Sequence, residues 1–423
     1  MADMSWFSGA GFGVFVHWDH ASQQGIEVSW PLVGRSIVSG GDDARDVVSV
    51  AQYHSSAGTF NPRLWDAAAL ARLARSCGAR YIVFTARHHA GYSMFHTKAS
   101  DFSIEHSPYR ADITRQLTEA ARAEGLRVGI YYSLSDWHHV DYPAFDESDK
   151  PYAYERYPRP SPEMWARYLD YVRAQLTELL TRYGMIDILW FDGQWERTAE
   201  EWRATQLRRL VASLQPNTIV NDRLPGQGDY ATPELLLPTT PPAGPWELCL
   251  TMNDSWGWRP KDTNYKSARD LAVFLADVVS RGGNLLLNVS PMGDGALPEV
   301  QVSRLKELGA WIASHGQALI GVRPAPASVD FYGPATVRDN RLYLHLIAQP
   351  LEHIVVRGIP VRRVRAVSLV GSSRPLAYHM PLAVYDDHLL GPDMLAELII
   401  DAPAPSGALI DVVAVEFDGR LDE

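Results

Sequence analysis

Short apolar runs alternate with helix-length amphipathic segments along most of the chain, and this alternation restricts the fold more than any other feature. The runs are rich in β-branched and aromatic residues and are bounded by turn residues, which is typical of buried strands. They lie at 13–17, 80–86, 127–133, 186–192, 218–222, 247–252 and 284–289. Helical patterns follow them at 64–77, 111–124, 162–183, 198–214, 266–281 and 298–316.

Repeated strand–helix units predict a parallel sheet covered by helices, and seven or eight units predict an α/β fold of the (β/α)8-like barrel type. A doubly wound open sheet is the alternative. That fold would be favoured by a glycine-rich phosphate loop after the first strand, whereas the glycines at 9–13 precede that strand. The barrel is therefore the favoured fold.

The pattern changes after Gly321. Short alternating runs follow at 341–347, 353–356, 365–369 and 412–417, separated by Pro, Gly, Asp and Asn, with no helix-length pattern between them. This arrangement predicts an antiparallel β-sandwich. We therefore expect two domains, a catalytic barrel over 1–321 and a C-terminal β-sandwich over 322–423.

Composition argues against two classes of partner. The chain has 39 basic and 50 acidic residues, a net charge of −11, so nucleic acid is a poor partner. No apolar stretch reaches the roughly 20 residues that a membrane helix needs, so we expect no membrane partner.

The N-terminal segment shows no secretory signal, and two cysteines suit a reducing compartment, so we expect a cytoplasmic protein. Nothing in the sequence specifies an oligomeric state.

Polar residues stand at or just after the C-terminal ends of the predicted strands, where barrel enzymes hold their active sites. They are His17, His88, His89, Tyr131, Tyr132, Asp136, Asp192, Asp222, Arg223, Asn253, Asp254, Ser255 and Asn288. Two long loops, 18–60 and 136–161, follow strands on the same face. Tryptophans adjoin several of these positions, and flat aromatic rings suit the apolar face of a sugar. We therefore expect a cleft at this face, with a sugar as a candidate ligand.

Asp192 ends an apolar run in which Asp187 is the other polar residue. A carboxylate at such a position costs several kcal/mol to desolvate unless it is paired or hydrogen-bonded. One interpretation is structural, a helix cap or an arginine partner. The other, which we favour, is a positioned nucleophile.

A carboxylate nucleophile that acts on sugars needs a second carboxyl group as acid and then base, about 5–5.5 Å away. Glu234 is favoured because it lies in a proline-rich loop after the fifth strand, free to reach over the cleft. Glu247 is the alternative. It opens the next strand, where it could equally be a structural partner of Arg223.

Histidines also allow a metal interpretation, through His17, His20, His88, His89, His138 and His139. Adjacent residues of a strand point to opposite faces, so His88 and His89 are poorly placed to bind one ion. The spacing His17-x-x-His20 also differs from the His-x-His that barrel metallohydrolases commonly use. We therefore expect no metal and no cofactor, and neutral imidazoles that hydrogen-bond sugar hydroxyls.

Eight segments of the predicted barrel together resemble the α-L-fucosidases of glycoside hydrolase family 29. The matches run in the family's order from residue 11 to 295 and cover the predicted barrel. They are GFGVFVHWDHAS, FNPRLWDAAALARLARSCGARYIVFTARHHAGYSMF, LRVGIYYSLSDW, DILWFDGQW, IVNDR, GDYATPE, PWELCLTMNDSWGW and VVSRGGNLLLNVSPMGDG. The C-terminal segment matches only as the β-sandwich that the family usually carries.

The resemblance implies a retaining, exo-acting hydrolase that removes terminal α-linked L-fucose from a fucosylated oligosaccharide or glycoside through a covalent glycosyl-enzyme. It maps the nucleophile to Asp192 and the acid/base to Glu234. It also implies that the enzyme needs no metal. Sugar-contacting positions carry over to His17, Trp30, His88, His89, Tyr132, Arg223 and Trp256.

Three departures from the family pattern fall in the sugar-binding half of the site. Asp19 stands where the family has glycine, and Ala90 where it has aspartate. In the family's Gly-Glu-Trp, Trp30 keeps its place but Ser29 replaces the glutamate, and Glu27 is a candidate substitute from two residues away. An α-L-galactoside therefore stays open as an alternative substrate.

Two functions of other classes also remain open. One is a sugar-binding relative without turnover, in which the altered 19–30 segment has disabled catalysis. The other is a metal-dependent barrel hydrolase that acts on amides or phosphates.

Overall fold

The computed structural model describes residues 3–421 apart from 34–47, 144–145, 151–158, 382–390 and 392. Parts of the predicted loops 18–60 and 136–161 therefore lie outside the described residues. None of the described helices is long and apolar enough to span a membrane.

Seven parallel strands confirm the predicted sheet. They are β1 (Phe12–Val16), β2 (Tyr81–Arg87), β3 (Arg127–Ser133), β4 (Ile188–Asp192), β5 (Ile219–Val220), β6 (Glu247–Thr251) and β7 (Asn284–Val289). They adjoin in the order β5-β4-β3-β2-β1-β7-β6. Chain order is thus kept around the sheet, as in a barrel, with a gap between β5 and β6.

An extended segment, residues 230–235, fills this gap. The carbonyl of Tyr230 accepts a hydrogen bond from the N–H of Asp222 (2.9 Å), next to β5, and the N–H of Leu235 donates to the carbonyl of Cys249 (2.9 Å), in β6. Isolated parallel bridges join the segment to both neighbours. It closes the ring of strands and carries the glutamate that the sequence favours as acid and base.

Helices lie between the strands on the outside of the sheet. They are α1 (Val50–Ser55), α2 (Ala67–Ser76), α3 (Ile113–Ala123), α4 (Pro162–Arg182), α5 (Ala204–Leu214), α6 (Ala268–Ser280) and α7 (Glu299–His315). Side-chain caps set several of their starts, such as Ser161, which accepts from Met164 N–H just before Pro162. The short α1 lies within a predicted loop and is new.

An apolar core fills the inside of the barrel below the strand ends. It contains the rings of Phe15, Tyr131 and Trp190, and the last two stack at 5.4 Å. Gly13 leaves room for the ring of Tyr81, since a Cβ at position 13 would lie 2.4 Å from that ring. The strand ends above this core therefore rest on packed aromatic rings.

The C-terminal strands form two antiparallel sheets, which confirms the predicted sandwich. They are β8 (Arg323–Pro324), β9 (Ala335–Arg338), β10 (Arg341–Leu346), β11 (His353–Pro360), β12 (Val364–Leu369), β13 (Arg374–Pro375), β14 (Tyr378–His379), β15 (Leu395–Asp401) and β16 (Asp411–Phe417). The sheet orders are β13-β12-β16-β10-β9-β8 and β11-β15-β14. A second apolar core unites strands of both sheets.

Helices of the barrel contact this sandwich. Trp311 of α7 donates to the carbonyl of Ile410 (2.9 Å), and Arg269 of α6 donates to the carbonyl of Ile347 (2.8 Å). The division of the chain after residue 321 stays a prediction, with α7 ending at His315 and β8 beginning at Arg323.

Candidate active site

Asp192 lies at the C-terminal end of β4. It is an even number of residues from Trp190, so strand alternation turns its side chain to the inside of the barrel. Its Oδ1 accepts from Nη1 of Arg223 (2.9 Å), and its Oδ2 accepts from the hydroxyl of Tyr131 (2.8 Å). Nε2 of His89 lies 3.7 Å from Oδ2.

The guanidinium of Arg223 joins two carboxylates. Nη1 donates to Asp192, and Nη2 donates to Oε2 of Glu234 (2.6 Å). The ring of Trp190 lies 4.6 Å beneath the guanidinium carbon. The side chain of Glu234 is 35 % exposed, whereas that of Asp192 is 10 % exposed. A buried carboxylate and a solvent-facing one therefore meet on one cation at the C-terminal end of the strands.

The charge state of Asp192 follows from this pairing. Burial alone would raise the pKa of Asp192, but the positive charge of Arg223, with hydrogen bonds from Arg223 and Tyr131, outweighs burial and holds the pKa below its ordinary value. An arginine partner is what the structural interpretation of Asp192 predicts. It serves the nucleophile interpretation equally, because a buried nucleophilic carboxylate must stay ionised.

His17, at the end of β1, presents an acceptor nitrogen. Nδ2 of Asn288 donates to the carbonyl of Trp256 (2.8 Å), so Oδ1 of Asn288 faces Nδ1 of His17 at 2.8 Å. The hydrogen of His17 therefore sits on Nδ1 and leaves Nε2 as an acceptor. Burial lowers the pKa of His17 to about 3, so the ring is neutral at pH 7.

His88 and His89 face the same side, contrary to the sequence argument, because β2 ends at Arg87 and the following turn brings their rings to 4.1 Å. Nδ1 of His89 lies 2.8 Å from Oγ of Ser133. Its buried Nε2 has no hydrogen-bond partner within the described residues. Burial lowers the pKa of His89 to about 4 and that of His88 well below its ordinary value. An unpartnered buried nitrogen beside Asp192 suits a ligand hydroxyl.

The other histidines contact different parts of the surrounding loops. Nδ1 of His20 lies 2.6 Å from Oγ of Ser56, and the ring of His138 stacks on Phe102 at 3.9 Å. In the part of the chain that the structure describes, no group of three or more His, Cys, Asp and Glu side chains is arranged to hold a metal ion.

Tryptophan rings line two sides of the site. Trp256 lies against His17 at 4.7 Å, and the half-buried Trp30 lies 5.4 Å from His89. Trp195, which is not among the predicted site residues, is 38 % exposed and stacks on Trp30 at 6.3 Å. Its position three residues after Asp192 was the available signal.

Tyr132 does not join this cluster, which corrects the prediction that it contacts the sugar. Its hydroxyl donates to Oε1 of Gln175 on α4 (3.0 Å), and its ring faces the guanidinium of Arg87. Tyr131 takes the place beside Asp192, because neighbouring strand residues face opposite sides. The alternation that turns Trp190 inward also identifies Tyr131, which pairs with it in register.

Glu247 lies at the opposite end of the barrel from Asp192. It opens β6, and its oxygens accept from the hydroxyl of Tyr81 and from Nε1 of Trp190 (3.1 Å). Burial raises the pKa of Glu247 to about 7. Its hydrogen bonds mark a structural group inside the barrel, and Arg223 pairs with the other candidate carboxyl instead.

The residues that depart from the family pattern make hydrogen bonds within the loops at the C-terminal ends of the strands. Asp19 accepts from the N–H of Ala21 (2.8 Å) and caps the turn there. Oγ of Ser29 accepts from the N–H of Ala90 (2.7 Å) and lies 2.6 Å from Nδ1 of His88. Glu27 accepts backbone N–H groups in the loop after β6. Its carboxylate therefore faces the protein backbone, which does not fit the expectation that it substitutes for the missing sugar-binding glutamate.

Comparisons with known proteins point to one family. The sequence profile of that family, Alpha-L-fucosidase, matches residues 2–317. The tissue alpha-L-fucosidase of Mus musculus is 30% identical over 349 residues, 76% of this chain and 72% of that protein. The structure of alpha-L-fucosidase isoenzyme 1 from Paenibacillus thiaminolyticus is 31% identical, has a TM-score of 0.84, and covers 98% of both chains. The structure of Thermotoga maritima alpha-fucosidase in complex with a mechanism-based inhibitor is 27% identical, has a TM-score of 0.75, and covers 97% of this chain and 96% of that one.

The buried carboxyl of Glu247 predicts a pH dependence of stability. Its pKa is about 7 in the folded chain against an ordinary 4.5, so the folded state binds the proton more tightly than the unfolded state. Stability therefore falls as pH rises from about 4.5 to about 7, by about 3 kcal/mol from this group. Glu247→Gln removes that loss, so denaturant titrations at pH 5 and pH 8 should show the variant gaining on the wild type as pH rises. Parallel pH profiles of the two proteins would contradict the assignment.

Proposed function

This chain belongs to the α-L-fucosidase family and is a retaining glycoside hydrolase, and we propose that Asp192 is its nucleophile and Glu234 its acid/base. The observation that carries this assignment is the bridge that Arg223 makes between the two carboxylates. One is buried and ionised, as a nucleophile requires, and the other is open to the side from which a leaving group and water come and go. A sugar-binding relative without turnover is not favoured, because both groups are present and paired.

The first step proposed is attack of a carboxylate oxygen of Asp192 on the anomeric carbon of the fucosyl residue. Glu234 donates its proton to the departing glycosidic oxygen, so the leaving group departs neutral. The bond from the anomeric carbon to that oxygen breaks as an ester bond to Asp192 forms. Arg223 and Tyr131, which bind the carboxylate, orient it for this attack.

The second step proposed reverses the role of Glu234. As a carboxylate it takes a proton from water, and the water oxygen attacks the same carbon. The ester bond breaks, Asp192 regains its charge, and fucose leaves with its original anomeric configuration. The ion pair between Arg223 and the freed carboxylate of Asp192 favours this hydrolysis.

Neutral imidazoles suit the hydroxyls of the bound sugar. His17 offers Nε2 as an acceptor, and Nε2 of His89 is buried and unpartnered among the described residues. A sugar hydroxyl that donates to such a nitrogen satisfies a group that would otherwise cost free energy to keep buried. Trp30 and Trp256 add apolar faces to the same pocket.

The direct test is hydrolysis of an aryl α-L-fucoside followed by proton NMR. We expect α-L-fucose as the first product, before mutarotation. We expect Asp192→Asn to lose activity by about 10³-fold or more with an unchanged melting temperature. First release of β-L-fucose, or near-normal turnover by Asp192→Asn, would contradict the proposal.

Azide rescue separates the two candidate acid/base residues. With a 4-nitrophenyl leaving group, which needs little protonation, Glu234→Ala should form the fucosyl-enzyme but hydrolyse it slowly, because no base activates water. Azide needs no base and should restore turnover, giving α-L-fucosyl azide. Glu247→Ala serves as the matched control and should show no such rescue. Rescue of Glu247→Ala in place of Glu234→Ala would reverse the assignment.

Tyr131 and Tyr132 provide a matched pair, because they are adjacent and only Tyr131 reaches Asp192. Tyr131→Phe removes a hydrogen bond to the ionised carboxylate and should lower kcat/KM by about tenfold or more. It also raises the pKa of Asp192, so the acid limb of the pH profile should move to higher pH.

The control, Tyr132→Phe, loses a bond to Gln175 behind the strand and should cost stability of about 1 kcal/mol with kcat/KM nearly unchanged. Equal kinetic effects of the two substitutions would show that the side on which each ring lies is irrelevant to activity, contrary to this account.

We also propose that the enzyme works in the cytoplasm. Cys77 and Cys249 are both buried and unpaired, which suits a reducing compartment. Fractionation of the source cells should recover the fucosidase activity with soluble cytoplasmic markers, and recovery in the medium would contradict this.

A further inference from the structure

We propose that Glu27 is a positioning residue that fixes the ring of Trp256, the residue that the family resemblance places against the sugar, and that loss of this clamp weakens the preference for a 6-deoxy sugar over its 6-hydroxy counterpart. The inference rests on the function proposed above and names a determinant of its substrate specificity. Its starting point is a carboxylate that is 6 % exposed in the loop after β1, on the sugar-binding side of the site.

Glu27 binds the backbone of the loop that follows β6. Its Oε1 accepts from the N–H of Trp256 (2.7 Å), and its Oε2 accepts from the N–H of Gly257 (3.1 Å). Hydrogen bonds to an ionised carboxylate are stronger than those between neutral groups. Two such bonds to successive peptide units fix the backbone from which the Trp256 ring projects.

The loop after β1 and the loop after β6 also pack closely against each other at Val28 and Gly257. A Cβ on Gly257 would lie 2.9 Å from the backbone nitrogen of Val28, so residue 257 must be glycine for this approach. Val28 is buried and has a φ of +24°, a conformation that a β-branched residue rarely adopts. Backbone strain of this kind persists where the surrounding contacts enforce it, and it is concentrated at functional sites.

The ring of Trp256 connects this clamp to the sugar site. It lies 4.7 Å from the ring of His17 and 6.0 Å from that of Phe15. The carbonyl of Trp256 accepts from Nδ2 of Asn288, and Oδ1 of the same Asn288 accepts from Nδ1 of His17. A displaced residue 256 therefore moves both an apolar wall and a hydroxyl-binding histidine.

An apolar indole face discriminates between a methyl and a hydroxymethyl group. A C6 methyl gains contact with the ring, whereas a C6 hydroxyl pressed against it loses water without gaining a hydrogen bond. This discrimination depends on close contact, so it weakens if the ring can shift. Glu27 thus acts on specificity through Trp256, without touching the sugar itself.

The test compares kcat/KM for 4-nitrophenyl α-L-fucopyranoside and 4-nitrophenyl α-L-galactopyranoside. Glu27→Gln keeps the shape but removes the charge and one acceptor, and it should reduce the fucoside preference by on the order of tenfold. Trp256→Ala should reduce the preference at least as much. Adding Glu27→Gln to Trp256→Ala should change the ratio no further, because the ring that Glu27 positions is gone.

Asp187→Asn is the matched control. Asp187 is also a buried carboxylate that accepts a backbone N–H, that of Val128 (2.8 Å), but it lies at the start of the strands, away from the site. It should lower the melting temperature and leave the ratio unchanged. If Glu27→Gln does not fold, Glu27→Asp, too short to reach both N–H groups, takes its place with the same expectation.

The outcomes separate this inference from the function on which it rests. A wild type that hydrolyses neither glycoside would overturn the proposed function. A wild type that prefers the fucoside, with a Glu27→Gln variant that slows both substrates equally, would overturn the role of Glu27 alone. Independent, multiplicative effects of Glu27→Gln and Trp256→Ala on the ratio would also overturn it.

Discussion

The bridge from Arg223 to Asp192 and Glu234 is the interaction on which the site depends. Two carboxylates brought this close would repel each other, and one of them is buried, so a shared cation is needed to keep both in place. The irregular part of the barrel supplies this geometry. Strand β5 has two residues, which lets the chain leave the sheet early and turn Arg223 inward, and the segment at 230–235 then brings Glu234 to the same guanidinium.

The charge state of each buried group in the site depends on the groups that surround it. Burial disfavours every ionised form, and for His17 and His89 it outweighs the attraction of Asp192. Both rings are therefore neutral, with pKa values lowered to about 3 and about 4. Asp192 keeps its charge because Arg223 and Tyr131 bind it. The result is a buried carboxylate and a more exposed one held on a single cation, with neutral histidines and aromatic rings around them. Such an environment suits an uncharged, hydroxyl-rich ligand with an electrophilic carbon.

Much of this could be predicted from the sequence, because period and position carry the signal. Apolar runs located the seven parallel strands within a few residues, and polar residues at their ends located Asp192, Arg223, His17 and His89. The predictions were wrong at positions where the orientation of a single side chain decides whether it reaches the site. Tyr131 and Tyr132 differ only in which side of β3 they face, and the turn after Arg87 brings two adjacent histidines together. The clamp by Glu27 joins loops 229 residues apart, a contact that no local pattern encodes.

The proposed mechanism requires that Asp192 form a covalent bond to the sugar. The most direct measurement is incubation of the enzyme with 2-deoxy-2-fluoro-α-L-fucosyl fluoride, followed by proteolysis and tandem mass spectrometry of the labelled peptide. The fluorine slows release of the intermediate, so the glycosyl-enzyme accumulates. We expect one fluorofucosyl group per chain, attached to Asp192. A label on Glu234 or another side chain, or turnover of fucosides with no covalent adduct detected, would contradict it.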